Sequence, residues 1–179
     1  MRIKWFSLIR ITGLLLVLLY HFFQTIFPGG FFGVDVFFTF SGFLITSLLL
    51  EEFGKKSQID LLGFFKRRFY RIVPPVVLMV LVTMPFTFLV RQDYVAGIGG
   101  QIAGVFGFMT NFYEMLTGGS YESQFIPHLF VHNWSLAVEV HYYILWGLAV
   151  WFLSKRSKSS SQLRGMVFLL SAGAFIISF

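Results

Sequence analysis

Apolar residues fill long stretches of this chain, and each stretch is closed by a turn signal or a cluster of charge. The first covers 5–27, enough for a bilayer-crossing helix at about 20 residues per span. Pro28-Gly29-Gly30 then forces a tight turn. A second run covers 31–50, interrupted only by Asp35 and small polar residues. Residues 51–71 carry Lys55, Lys56, Lys66, Arg67, Arg68 and Arg71. Among them Leu61, Leu62, Phe64, Phe65 and Phe69 alternate with basic positions, the pattern of a helix lying on a membrane surface.

A third run covers 72–90, entered through Pro74-Pro75, which suit a helix start, and Pro85 predicts a kink. Residues 133–153 form a clear span, followed by Lys155, Arg156, Lys158 and Arg164. A last run covers 165–179 and stops after about 15 residues, short of a comfortable crossing, so the sequence reads as truncated. The pattern predicts an all-α, polytopic transmembrane helical bundle, a fragment with about 4–6 membrane helices.

Residues 94–116 are only moderately apolar and rich in glycine, with Gln101 and Asn111 among them. Charge bias bears on this segment. Arg2 and Lys4 place the N-terminus in the cytoplasm, and two crossings return the basic 51–71 loop there. If 94–116 spans, the basic 155–164 loop falls outside. If it is interfacial or re-entrant on the outer side, that loop falls inside, as the rule prefers.

Composition supports a multi-pass protein of the cell membrane. Hydrophobic residues make up 56% and charged residues 12%, about half the charged share of a soluble domain. The net charge of +6 does not indicate nucleic acid, because the basic residues sit in loops beside apolar spans. With no Cys there is no disulfide, thiolate metal site or cysteine nucleophile. Four scattered His without short ligand spacing indicate no metal. The first run is too long for a signal peptide and has no small-residue cleavage site after His21.

The candidate chemistry lies in the polar groups inside the apolar runs. Ionisable residues within a membrane span are expensive and mark functional pathways. Arg10 and His21 share nearly one helix face, roughly 16 Å apart in depth. His21, Asp35 and Glu139 each fall about 8–10 Å below the outer surface, so an imidazole and two carboxylates are expected in one layer. A carboxylate beside a histidine fixes its tautomer and raises its basicity, as general-base catalysis requires. Ser135, Tyr142 and Tyr143 lie one turn from Glu139 and add hydroxyls. At the inner surface Arg68 and Arg71 stand at i and i+3, and with Arg10 they suit bidentate phosphate binding.

Plainer readings stand beside these. Positive-inside anchoring accounts for Arg68 and Arg71 without any ligand. Asp35 alone serves to neutralise a charge or cap a turn, and His21 to satisfy a structural hydrogen bond. His128 and His132 fall at the outer surface, where a neutral ring costs little. The same His21, Asp35 and Glu139 would also serve a proton-coupled transporter as a relay.

Four motifs, in order, resemble the acyltransferase type 3 family. They are Arg10-x10-His21, then Gly33-Val34-Asp35-Val36-Phe37-Phe38 with Ser41-Gly42-Phe43-Leu44-Ile45, then Arg67-Arg68-Phe69-Tyr70-Arg71-Ile72-Val73-Pro74, and finally Trp134-Ser135-Leu136-Ala137-Val138-Glu139. The likeness covers residues from about 5 to 150 and is nearest the bacterial branch that O-acetylates peptidoglycan and other envelope polysaccharides. The resemblance implies a membrane O-acyltransferase with acetyl-CoA as cytoplasmic donor substrate, no tightly bound cofactor, and a cell-envelope polysaccharide as acceptor. It implies His21 as base or acyl-relay residue, Glu139 as the acidic residue of the Trp-Ser-Leu motif, and Arg10, Arg68 and Arg71 at the CoA phosphates. It also implies further helices and often an SGNH-type domain beyond this fragment. His141 and Gly147 depart from the pattern, standing where relatives usually carry Gln and Pro; neither is expected to touch the chemistry.

Overall fold

A bilayer offers no water to backbone N–H and C=O groups, and a helix pairs them internally, so long apolar runs fold as helices. The computed structural model describes residues 4–87, 89, 95, 97–117 and 128–178, without the side chains of 4–7 and 10. Among the described residues the regular elements are seven α-helices: α1 (Lys4–Phe22), α2 (Phe32–Lys56), α3 (Leu61–Phe86), α4 (Ile98–Phe106), α5 (Thr110–Thr117), α6 (Trp134–Arg156) and α7 (Ser160–Ile177). Short 3-10 turns, Pro28–Phe31 and Val131–Asn133, lead into α2 and α6. The fold is all-α.

Four stretches are long and apolar enough to cross a membrane: Pro28–Lys56, Leu61–Phe86, Val131–Arg156 and Ser160–Ile177. Large apolar side chains face outward along the helices, among them Leu15 and Leu18 of α1, Leu78 and Leu81 of α3, Leu145 of α6, and Phe168 and Leu169 of α7. So much exposed apolar surface is a lipid-facing surface, not a water-facing one. The protein is a multi-pass membrane protein.

The chain divides into two units, Met1–Ile59 with Phe152–Phe179, and Asp60–Trp151. In the first, α1 and α2 form a hairpin that crosses at glycines. A methyl group at Gly33 would lie 2.5 Å from the Gly13 carbonyl oxygen and 2.8 Å from the Val17 side chain, so only hydrogen fits. Small residues of this kind let membrane helices approach to backbone contact. Helix α1 stops at Phe22, before the end of its apolar run, because Phe27 precedes a proline and is pushed out of the helical region (φ −122, ψ 59). Helix α7 packs on α2. It starts at Ser160, capped by the Ser159 hydroxyl, which accepts from the Gln162 N–H at 3.2 Å. The helix is therefore 18 residues long, and its polar first turn adds to the apolar run that begins at 165.

In the second unit, Asp60 caps α3 by accepting from the Gly63 N–H at 2.9 Å. The basic stretch up to Arg71 and the apolar run after it then form one continuous helix, with Pro74, Pro75 and Pro85 inside it. Each interior proline costs about 3 kcal/mol in water. Any other backbone at membrane depth leaves more groups unpaired, so the helix persists through them. Val76 and Val80 of α3, Val105 of α4 and Phe130 form the buried core of this unit.

Residues 98–117 form two short helices, not one long one. Helices α4 and α5 meet at Gly107 and Phe108, where Phe108 takes left-handed backbone (φ 52) and Met109 N–H returns to the Gly104 carbonyl at 2.8 Å. The chain therefore reverses within two residues. The buried Gln101 side chain ties α4 to the later turn by accepting from the Phe130 N–H at 3.2 Å. Asn133 closes that turn, donating to the Phe130 carbonyl at 3.3 Å.

Candidate active site

The first unit holds Arg10, His21 and Asp35. Arg10 lies in α1, and its side chain falls outside the described residues. His21 occupies the last turn of α1, with Nδ1 2.8 Å from the Val17 carbonyl. A carbonyl only accepts, so Nδ1 carries the proton and a neutral ring holds its lone pair on Nε2. The ring is exposed and meets Tyr20 edge-on, 5.6 Å between centroids. Asp35 is exposed in the first turn of α2, where a carboxylate is favoured by the helix dipole.

These two groups do not share one layer, contrary to the expectation from equal residue counts on either side of the turn. Gly33 packs at the level of Gly13 and Val17, so Asp35 lies roughly 10 Å deeper in the hairpin than His21. The early end of α1 is the cause: His21 sits at the mouth of the hairpin, not within a helix running on to Phe27.

The second unit holds Arg68, Arg71 and Glu139, and it brings two of them together. The Tyr143 hydroxyl donates to a Glu139 carboxylate oxygen one turn back along α6. The Arg68 guanidinium of α3 lies 5.4 Å from the Tyr143 ring centre and 5.4 Å from that of Phe64. Two aromatic faces thus clamp one cation. Its Nε is buried and, among the described residues, has no hydrogen-bond partner. Arg71, one turn on, is exposed.

Arg68 and Tyr143 line a cavity of about 620 Å³ between α3 and α6, to which Phe108 of the α4–α5 turn also contributes. Its walls are otherwise largely apolar, including Phe65, Ile72, Val73 and Ile144, with Lys66 at the rim. A guanidinium with an unused donor on an apolar cavity wall suits an anionic head with an apolar arm. Phosphate oxygens would supply the acceptors that Nε lacks, so the residues present fit a phosphate-bearing acyl donor.

The described part of this site runs along a chain whose four motifs are those of one family. The family model for an acyltransferase domain matches residues 3–179. The chain belongs to the acyltransferase type 3 family. It is similar to the O-acetyltransferase OatA of Staphylococcus aureus, 33% identical over 94% of this chain and 28% of the relative. It is also similar to the peptidoglycan O-acetyltransferase OatA of Listeria monocytogenes, 32% identical over 77% of this chain and 22% of that relative. The chain thus spans about a quarter of the length of the curated relatives it matches. No solved structure shows a significant match.

Three contacts of this family member do not follow from its sequence pattern. Gly147 was expected to leave the chemistry untouched, yet a methyl group there would lie 3.0 Å from the Phe64 ring that supports Arg68. Phe108 reaches the cavity only because of the reversal after α4. Glu114, which is buried, and His128, which is partly buried, form a pair, Nδ1 to Oε2 at 2.9 Å, although they are 14 positions apart in the chain. A lone Glu in a Gly-rich segment carries no periodic signal that finds this pairing.

Proposed function

We propose that this chain is part of a membrane O-acetyltransferase that takes acetyl from cytoplasmic acetyl-CoA and passes it toward a cell-envelope glycan such as peptidoglycan. Family membership and the names of the relatives support the reaction class and the acceptor. The observation that carries the donor assignment is the buried, unpartnered Arg68 Nε on the wall of an apolar cavity.

In this reading the N-terminus is cytoplasmic, and Arg10, Arg68 and Arg71 recognise the phosphates of the donor. Acetyl-CoA supplies an activated thioester. Arg68 is pre-oriented for it by Phe64 and Tyr143, and Glu139 holds the Tyr143 ring through its hydroxyl. Glu139 therefore acts as a positioning residue. His21, with its proton fixed on Nδ1 by Val17, offers Nε2 as the base that takes a proton from the acceptor side. Residues 98–117 form a re-entrant hairpin whose turn contributes Phe108 to the wall of the donor cavity.

Sealed inside-out vesicles carrying the full-length protein test this reading. Labelled acetyl-CoA added to the cytoplasmic face is expected to label the glycan enclosed on the other face. Labelling that requires acetyl-CoA on the glycan face, or none at all, would overturn it.

A further inference from the structure

We propose that Thr110, Asn111, Glu114 and His128 form a second polar site that binds hydroxyls of an acceptor sugar; this rests on the glycan reading above. Thr110 and Glu114 stand one turn apart on α5, at i and i+4, and share a face. Both are more than nine-tenths buried, at 1% and 6% exposure. Among the described residues, Thr110 Oγ1, Asn111 Oδ1 and Glu114 Oε1 are buried without any hydrogen-bond partner.

Buried polar atoms in a native fold are satisfied almost without exception, so three orphans on one short helix point to something that completes them. All three are oxygens. The carboxylate and the amide oxygen only accept, so the missing group brings donors, and the Thr110 hydroxyl can answer as donor or acceptor. A polyhydroxylated ligand has that character. A phosphate does not.

His128 adds direction. Its Nδ1 donates to Glu114 Oε2 at 2.9 Å, which leaves the lone pair of a neutral ring on Nε2. The Tyr113 ring holds the imidazole at 5.5 Å between centroids. Two hydroxyls of one sugar, one donating to Glu114 Oε1 and one to Asn111 Oδ1, with the Thr110 hydroxyl donating to either, would complete the three oxygens. The site begins two residues after Phe108, which lines the donor cavity. Acceptor and donor sites would then lie along one short stretch of chain.

The test uses the full-length protein in proteoliposomes with acetyl-CoA and a tetrasaccharide of alternating N-acetylglucosamine and N-acetylmuramic acid. Thr110→Val and Asn111→Leu are each expected to raise the KM for the tetrasaccharide about tenfold, the cost of one unmade hydrogen bond. The KM for acetyl-CoA should stay within about twofold, and Thr110→Ser should restore the acceptor KM. The tetrasaccharide should also raise the melting temperature of the wild type and of Thr110→Ser, but not of Thr110→Val. Unchanged acceptor KM in both variants, with an active wild type, would mean that water alone fills the site and would overturn the inference. A wild type that never labels the tetrasaccharide would instead overturn the glycan reading beneath it.

Discussion

The Arg68 guanidinium rests 5.4 Å from the centre of the Tyr143 ring, and the Tyr143 hydroxyl donates to Glu139 one turn away. A cation on α3 is thereby oriented by a carboxylate on α6 that it does not touch directly in this chain of contacts. Arg68 is only half-buried, and its Nε, itself buried, has no hydrogen-bond partner among the described residues.

Arg68→Lys keeps the charge but loses the planar fork and the stacking on two rings. The KM for acetyl-CoA is expected to rise by at least about tenfold, equivalent to about 1.4 kcal/mol, with membrane abundance unchanged. Steady-state kinetics in proteoliposomes check this, and an unchanged donor KM would remove Arg68 from the phosphate site.

Glu139→Gln retains an acceptor for the Tyr143 hydroxyl, whereas Glu139→Ala removes it. The Gln variant should stay within about threefold of wild-type donor KM, and the Ala variant should resemble Tyr143→Phe, about tenfold weaker. Equal loss in Gln and Ala variants would assign Glu139 a role in proton transfer instead of positioning.

Gly147→Leu drives a side chain into the Phe64 ring, since even a methyl group would lie 3.0 Å from it. Overpacking of this kind costs about 1–3 kcal/mol. A lower melting temperature is expected, together with weaker stabilisation by CoA, because Phe64 also supports Arg68. Full CoA stabilisation in this variant would show that Phe64 does not set the guanidinium.

Phe108→Gly relieves a left-handed backbone that costs a bulky residue about 1–2 kcal/mol, while removing a side chain from the wall of the donor cavity. Stability is expected to change little, and longer acyl-CoA chains should become better donors relative to acetyl-CoA. Chain-length competition assays measure this, and an unaltered preference would place the acyl group elsewhere.

The long runs, the Pro28 turn and the motif residues were legible because hydrophobic length and turn chemistry are local signals. Three outcomes were not local. Helix α1 ended early through the backbone restriction before Pro28, which moved His21 away from the level of Asp35. Helix α3 ran through three prolines because the membrane penalises the alternatives more than the prolines cost. The Glu114–His128 pair depends on a reversal at Phe108, a residue type that gives no turn signal. Arg68 and Glu139 were each visible as costly charges, but Tyr143 joins them only through the packing of α3 on α6.

The central claim is acetyl transfer to glycan that depends on His21. Glycan O-acetylation in cells expressing the full-length protein with His21→Ala, normalised to membrane abundance, tests it most directly. The account predicts a loss of at least about a hundredfold, the lower bound for removing a general base. Acetylation equal to wild type at equal abundance would contradict it.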